Sequence, residues 1–261
     1  MVAEQTLQLE CGGVRLYAVL YTPSGAARGI VVCCHPLFEE QKAACRPLVE
    51  GAREFNRNGL ACLRFDYAGC GDSDGELDAA TVATWQANIR AAIEFAREQV
   101  SGPVGLLGVR LGGTLAAMAC EEIAEVEYLI LWEPVLDGRA YLLSDLRKKM
   151  IRDMMVSGKS AETRQSREDL MAQQGRLDFD GFPVTNRLYQ DIAAIDLNLT
   201  QKKFKGDLLI TQISPTEQPT AGLRSFADAY TNVRNRQLLA VKMPPFWNQV
   251  GIVDTAALIH Q

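Results

Sequence analysis

Short apolar runs alternate along this chain with longer amphipathic stretches. Val14 to Tyr21 is apolar and polar in turn, the period of a half-buried strand, after a first strand-like run at Thr6 to Glu10. Gly29 to Cys34 (GIVVCC) is continuously apolar, as expected of a strand buried on both faces. Leu60 to Asp66, Val104 to Gly108, Tyr128 to Trp132, Asp207 to Ile213 and Gln237 to Val241 complete a set of about eight strands. Helices are expected at 43–58, 79–100, 112–124, 220–231 and 249–260. Such repetition of strand, helix and strand needs right-handed crossovers. It predicts an α/β fold with a mainly parallel central sheet flanked by helices. The opening two strands, joined by Cys11-Gly12-Gly13, are expected to form an antiparallel edge.

Residues 138–206 break this rhythm. No strand-like run is evident there, and Arg139 to Val156 places Tyr141, Leu142, Leu146, Met150, Ile151 and Met154 near one face at helical spacing. The stretch holds 13 basic and 9 acidic residues, net +4, in a chain of net charge −5. It is expected to be a helical cap or lid inserted between core segments 1–137 and 207–261. Its natural place is above the carboxyl ends of the strands, where α/β sheets bind ligands.

At 261 residues and 48% hydrophobic, the chain is long enough for one large core. Its negative net charge argues against a nucleic-acid binder. No run reaches the roughly 18 apolar residues of a membrane span. The start MVAEQTLQLE lacks a secretory pattern, so a cytoplasmic protein is expected. Seven cysteines without C-x-x-C spacing and only two histidines, His35 and His260, predict no disulfide, no metal site and no cofactor.

Three stretches carry the chemistry. Cys34-His35-Pro36-Leu37-Phe38 follows a buried strand. Phe65-Asp66-Tyr67-Ala68-Gly69-Cys70-Gly71-Asp72-Ser73-Asp74-Gly75 follows the next, and Gly108-Val109-Arg110-Leu111-Gly112-Gly113 links a strand to a helix. In this order they resemble the oxyanion loop, the D-x-x-G-x-G-x-S-x-G loop and the G-x-S-x-G nucleophile elbow of the α/β-hydrolase superfamily. Together with Leu131-Trp132-Glu133-Pro134-Val135, Pro245-Phe246-Trp247 and the helix from Arg139 to Met155, the elbow stretch is similar to the second type of exosortase A system-associated hydrolase. The resemblance implies an α/β-hydrolase fold and a setting beside exopolysaccharide export. It implies no particular chemistry.

The elbow's glycines keep Cβ atoms out of a tight turn so that the central side chain reaches the pocket. Here that side chain is Arg110, a permanent cation with no lone pair for attack on a carbonyl. The loop after the last strand, Lys242-Met243-Pro244-Pro245-Phe246-Trp247-Asn248, has no histidine to act as base. Glu217 is the one carboxylate in the loop where the acid normally stands. Cys34, Ser73 and His35 read as structural: a buried thiol, a hydroxyl satisfying turn amides, and an imidazole bridging loop backbone. Pro36 removes an amide, so oxyanion-type donors have to come from Leu37 or Phe38 with Leu111.

Arg110 at a helix N-terminus opposes the macrodipole and requires a counter-charge. Two readings stand. In one, Glu133 or Asp66 closes the old pocket with an internal ion pair, Glu133 being favoured. In the other, the guanidinium grips an anionic ligand in two-pronged fashion. Arg110, Leu111, His35, Leu37, Phe38 and Glu133 form the candidate pocket, with no catalytic residue among them. The expected function is a non-catalytic binding or accessory protein for a small anionic or acyl ligand. The alternatives are an active hydrolase of ester or acyl substrates with a non-standard mechanism, and a scaffold whose basic lid, through Arg147, Lys148 and Lys149, meets an anionic partner. A homodimer is compatible with the fold.

Overall fold

The computed structural model describes residues 3–157, 169, 171, 175–249 and 251–260. Among the described residues ten strands run in chain order: β1 (Ala3–Cys11), β2 (Val14–Thr22), β3 (Ile30–Cys34), β4 (Ala61–Phe65), β5 (Val104–Val109), β6 (Val126–Trp132), β7 (Arg176–Phe179), β8 (Phe182–Thr185), β9 (Asp207–Ser214) and β10 (Asn235–Lys242). The helices among the described residues are α1 (Glu39–Arg57), α2 (Val82–Gln99), α3 (Leu111–Glu122), α4 (Gly138–Ser157), α5 (Asn186–Ala193), α6 (Ala221–Asp228) and α7 (Ala256–Ile259).

Eight strands make one sheet in the order β1-β2-β4-β3-β5-β6-β9-β10. The β1/β2 and β2/β4 pairs are antiparallel and all others are parallel. β3 and β5 are buried along their whole length, since helices cover both faces. Alternate residues serve opposite cores. Val32, Cys34, Leu106 and Leu131 pack in the cluster that holds Trp85 and Ile89 of α2. Val31, Cys33, Leu107 and Trp132 pack against Ala44, Leu48 and Ala52 of α1. α2 starts cleanly because Thr81 caps it, its hydroxyl accepting from the Thr84 amide at 3.0 Å.

The structure departs from the sequence expectation in three places. α1 begins at Glu39 rather than near 43, which brings two further carboxylates, Glu39 and Glu40, onto the helix. Among the described residues of 249–260, where a longer helix was expected, only the one-turn α7 is helical, after a 3-10 turn at Phe246–Asn248 that precedes the region. Within 138–206, the strands β7 and β8 pair antiparallel as a two-stranded hairpin, where only helices were expected. Tyr141, Leu142 and Leu146 of α4 are buried, but Ile151 is 55% exposed, so the apolar face holds for the first half of that helix. The side chains of Met150 and Met154 lie outside the described residues.

Candidate functional site

The site forms where β5 ends and α3 begins. Arg110 stands at that junction with φ 53° and ψ −124°, a backbone conformation that non-glycine residues seldom adopt. Its neighbours enforce the turn. A Cβ at Gly108 would strike the Gly113 backbone, and one at Gly112 would run into the carbonyls of Cys34 and His35. The loop after β3 is thereby pressed against the elbow. Besides Arg110, the described non-glycine residues at positive φ are Phe38, Glu133 and Asp180. Phe38 precedes α1 and Glu133 follows β6, so strain gathers around one point, as it does at functional sites.

The Arg110 side chain lies back into the protein, with only 15% of it exposed. Its Nε donates to Glu40 Oε1 at 3.2 Å, and an Nη donates to the Glu133 backbone carbonyl at 3.3 Å. The guanidinium carbon lies 4.7 Å from the centre of the Trp247 ring and 5.7 Å from that of Tyr141. The Tyr141 hydroxyl donates to the other Glu40 oxygen at 3.4 Å. Four elements thus meet: the elbow, α1, α4 and the loop after β10.

This arrangement revises the sequence-based choice of counter-charge. Glu40, itself 5% exposed, is the ion-pair partner. Glu133 offers Arg110 its carbonyl, while its carboxylate turns away to accept the Ile213 amide at 2.7 Å. Asp66 faces His35 instead, at 3.6 Å. Burial pushes the Glu40 carboxyl up, against the pull of Arg110. Burial pulls Arg110 down, but Glu40, Tyr141 and Glu133 more than offset it, so the guanidinium stays charged. Glu133 is also raised by burial, against the Ile213 amide and Arg110.

The other candidate residues are dispersed. Leu37 and Leu111 are fully buried in the core, while Phe38 walls a cleft of about 750 Å³ with Glu40, Asp145, Lys148, Phe179 and Trp247. His35 does not line that cleft. Its Nδ1 donates to the Pro36 carbonyl at 2.6 Å, and burial lowers its pKa. Glu217 pairs with Lys242 at 3.2 Å on the surface, far too exposed to orient a buried base. Cys34 is fully buried, and burial pushes its thiol well up. The Ser73 hydroxyl donates to the Asp66 carbonyl at 2.6 Å and accepts the Tyr17 amide at 2.9 Å. Among the described residues, neither imidazole is hydrogen-bonded to a serine or cysteine, and no group of three His, Cys, Asp or Glu is placed to hold a metal ion. No helix of the described residues is long and apolar enough to cross a membrane.

Sequence reasoning assigned no site role to Glu40, Tyr141 or Trp247. Glu40 carried the one usable signal, a carboxylate within the first helical turn, but a helix start near 43 put it outside the helix. Tyr141 read as part of an apolar stripe, and Trp247 only as part of a motif.

A mainly parallel eight-stranded sheet, helices on both faces and a strained strand-to-helix elbow define an α/β-hydrolase-fold protein. The model of the serine aminopeptidase S33 family (Hydrolase_4) matches residues 25–179. The chain belongs to that family. It is 40% identical over 57 residues to the human mitochondrial palmitoyl-protein thioesterase ABHD10, a match covering 22% of this chain and 18% of that protein. The rat protein of the same name is 34% identical over 103 residues, 38% of this chain and 33% of that one. The matches thus span a third or less of these relatives' lengths. Among solved structures, Est1E from Butyrivibrio proteoclasticus with ferulic acid bound superimposes with a TM-score of 0.65 at 21% identity, covering 90% of this chain and 88% of that one. Mouse alpha/beta hydrolase domain-containing protein 10 gives 0.60 at 16%, covering 91% and 88%. These likenesses establish the fold.

Proposed function

We propose that this hydrolase-family chain binds a small acyl or anionic ligand without Ser-His-Asp chemistry and acts as an accessory protein. The resemblance to exosortase A system-associated hydrolases sets that role beside exopolysaccharide export. The observation that carries the reading is the state of the elbow: Arg110 occupies the nucleophile's position and is bonded to buried Glu40. Trp247, from the loop where a base would stand, lies over the guanidinium. An acyl-enzyme needs a nucleophile and a proton acceptor beside it, and a guanidinium in that position supports the reading because it serves as neither. Residues 138–206 act in this reading as a lid, with Phe179, Asp145 and Lys148 closing one side of the cleft.

A second reading, an active hydrolase of ester or acyl substrates, is favoured by one observation. The strained elbow is retained, although such a conformation costs on the order of 1–3 kcal/mol. It would need water as nucleophile and Glu40 as the buried carboxyl group. The two readings separate on turnover. Mixed with p-nitrophenyl esters and with a palmitoyl thioester, the purified protein is expected to give neither a burst nor turnover above buffer. Arg110→Ser alone is expected to restore none, since no histidine stands over it. Wild-type turnover that disappears in Glu40→Gln would reject the binding reading in favour of the second.

A further inference from the structure

A second cleft, of about 450 Å³, is walled in part by Phe182 and shares Lys42 with the first. Cys45, Arg64 and Lys42 line it, together with His35, Asp66 and Asp72. Of the seven cysteines, Cys45 is the most open to solvent, and it projects from α1. An Arg64 Nη donates to its Sγ at 3.7 Å, and the other donates to the Tyr21 hydroxyl at 3.1 Å. No carboxylate pairs with Arg64 among the described residues, so a thiol sits beside an uncompensated guanidinium. Two carboxylates and an imidazole also line the cleft. Asp72 is exposed, and Asp66 accepts the Asp72 amide at 3.0 Å. His35, 6% exposed, has an Nε2 with no hydrogen-bond partner, 3.6 Å from Asp66 Oδ1. With Nδ1–H committed to Pro36, that nitrogen presents a lone pair and calls for a donor.

We propose that Cys45 is a thiol-modification site, and that the cleft takes a low-molecular-weight disulfide bearing both carboxylate and ammonium groups. The carboxylate faces Arg64 and Lys42, and the ammonium faces Asp72 and Asp66, the latter backed by the His35 lone pair. In the reaction the Cys45 thiol gives its proton to solvent and the sulfur attacks one sulfur of the ligand. A new S–S bond forms as the old one breaks, and the other half leaves as a thiolate. Cys45 is oxidised and the departing half is reduced. Arg64 stabilises the negative charge on the attacking sulfur.

The test uses the folded full chain with oxidised glutathione as probe and bis(2-hydroxyethyl) disulfide as its uncharged counterpart. Intact mass and peptide mapping are expected to find a single adduct at Cys45, absent in Cys45→Ser. Glutathione disulfide should be preferred over the uncharged disulfide relative to their rates with the urea-unfolded chain. Arg64→Gln should slow the reaction about threefold to tenfold, as loss of a neighbouring cation does for a thiolate nucleophile. Where Arg64→Gln fails to fold, Arg64→Lys should keep the rate and Asp72→Asn should erode the preference for glutathione disulfide. Adducts spread over several cysteines, a Cys45 no faster than in the unfolded chain, or equal use of the two disulfides would each overturn the proposal.

Discussion

At the scale of single residues, Arg110 and Glu40 pose a problem of sign. Each is a charge removed from water, and their mutual attraction does not by itself repay that desolvation. What makes the pair tolerable is that neither is left with one contact. Arg110 has a carboxylate, a carbonyl and two rings, and Glu40 has a guanidinium and a phenol. Removing one partner should therefore cost more than removing both. Glu40→Ala is expected to destabilise by about 3–5 kcal/mol, the cost of an orphaned buried charge. The double variant Arg110→Met/Glu40→Leu should recover most of it. Urea denaturation of Glu40→Leu, Arg110→Met and the double measures the coupling, and additive losses would mean the pair is not a unit. His35 gives a pH signature of definite sign. Burial lowers its pKa, so the folded state binds the proton less well than the unfolded chain. Its contribution to stability is fully present above the unfolded value of about 6.5 and lost as pH falls from there towards the lowered one. Thermal melts should show this decline, and His35→Gln should flatten it.

At the scale of elements, packing demands the turn of the elbow whatever chemistry it serves. Gly112 lets α3 press on the carbonyls of Cys34 and His35, and Gly108 lets the helix start touch the strand it leaves. The Arg110 amide donates to the Trp132 carbonyl at 3.0 Å, and the Arg110 carbonyl accepts from Thr114 at 3.1 Å. The turn is therefore fixed by its neighbours whatever residue occupies its centre. With φ at 53°, that centre favours glycine. Two truncations that both delete the guanidinium should consequently differ. Arg110→Gly should be more stable than Arg110→Ala by about 1 kcal/mol, the strain relieved less the extra entropy of unfolded glycine. Equal melting temperatures would show that the turn relaxes when the long side chain goes.

At the scale of the whole molecule, what could be read in the sequence was set by the range of the interactions. The sheet was legible because GIVVCC and its counterparts are apolar on both faces, and the elbow because Gly108, Gly112 and Gly113 are adjacent in sequence. The β7–β8 hairpin was not, since RLDF and FPVT are four-residue strands with a proline and two charges between them. Nor was the Arg110–Glu40 pair, whose partners lie 70 residues apart and meet only once α1 is laid on the sheet. Of Arg147, Lys148 and Lys149, two pair within the segment, Lys148 with Asp145 at 2.9 Å and Lys149 with Asp178 at 2.6 Å, which leaves the net +4 of 138–206 unchanged. Polar ties join this segment to the core, among them Lys148 to Asn248 at 3.3 Å, the Phe204 amide to Glu121 at 3.0 Å and the buried Tyr141 hydroxyl to Glu40 at the long distance of 3.4 Å. Such a bond is worth about 0.5–1.5 kcal/mol, small against the stability of the sheet but large against that of a segment that opens locally. Tyr141→Phe keeps the ring over Arg110 and removes only the hydroxyl. Hydrogen exchange should therefore quicken in α4 and the β7–β8 hairpin while β3, β5 and β6 stay protected. Uniform loss of protection across the sheet would mean instead that segment and core unfold as one body.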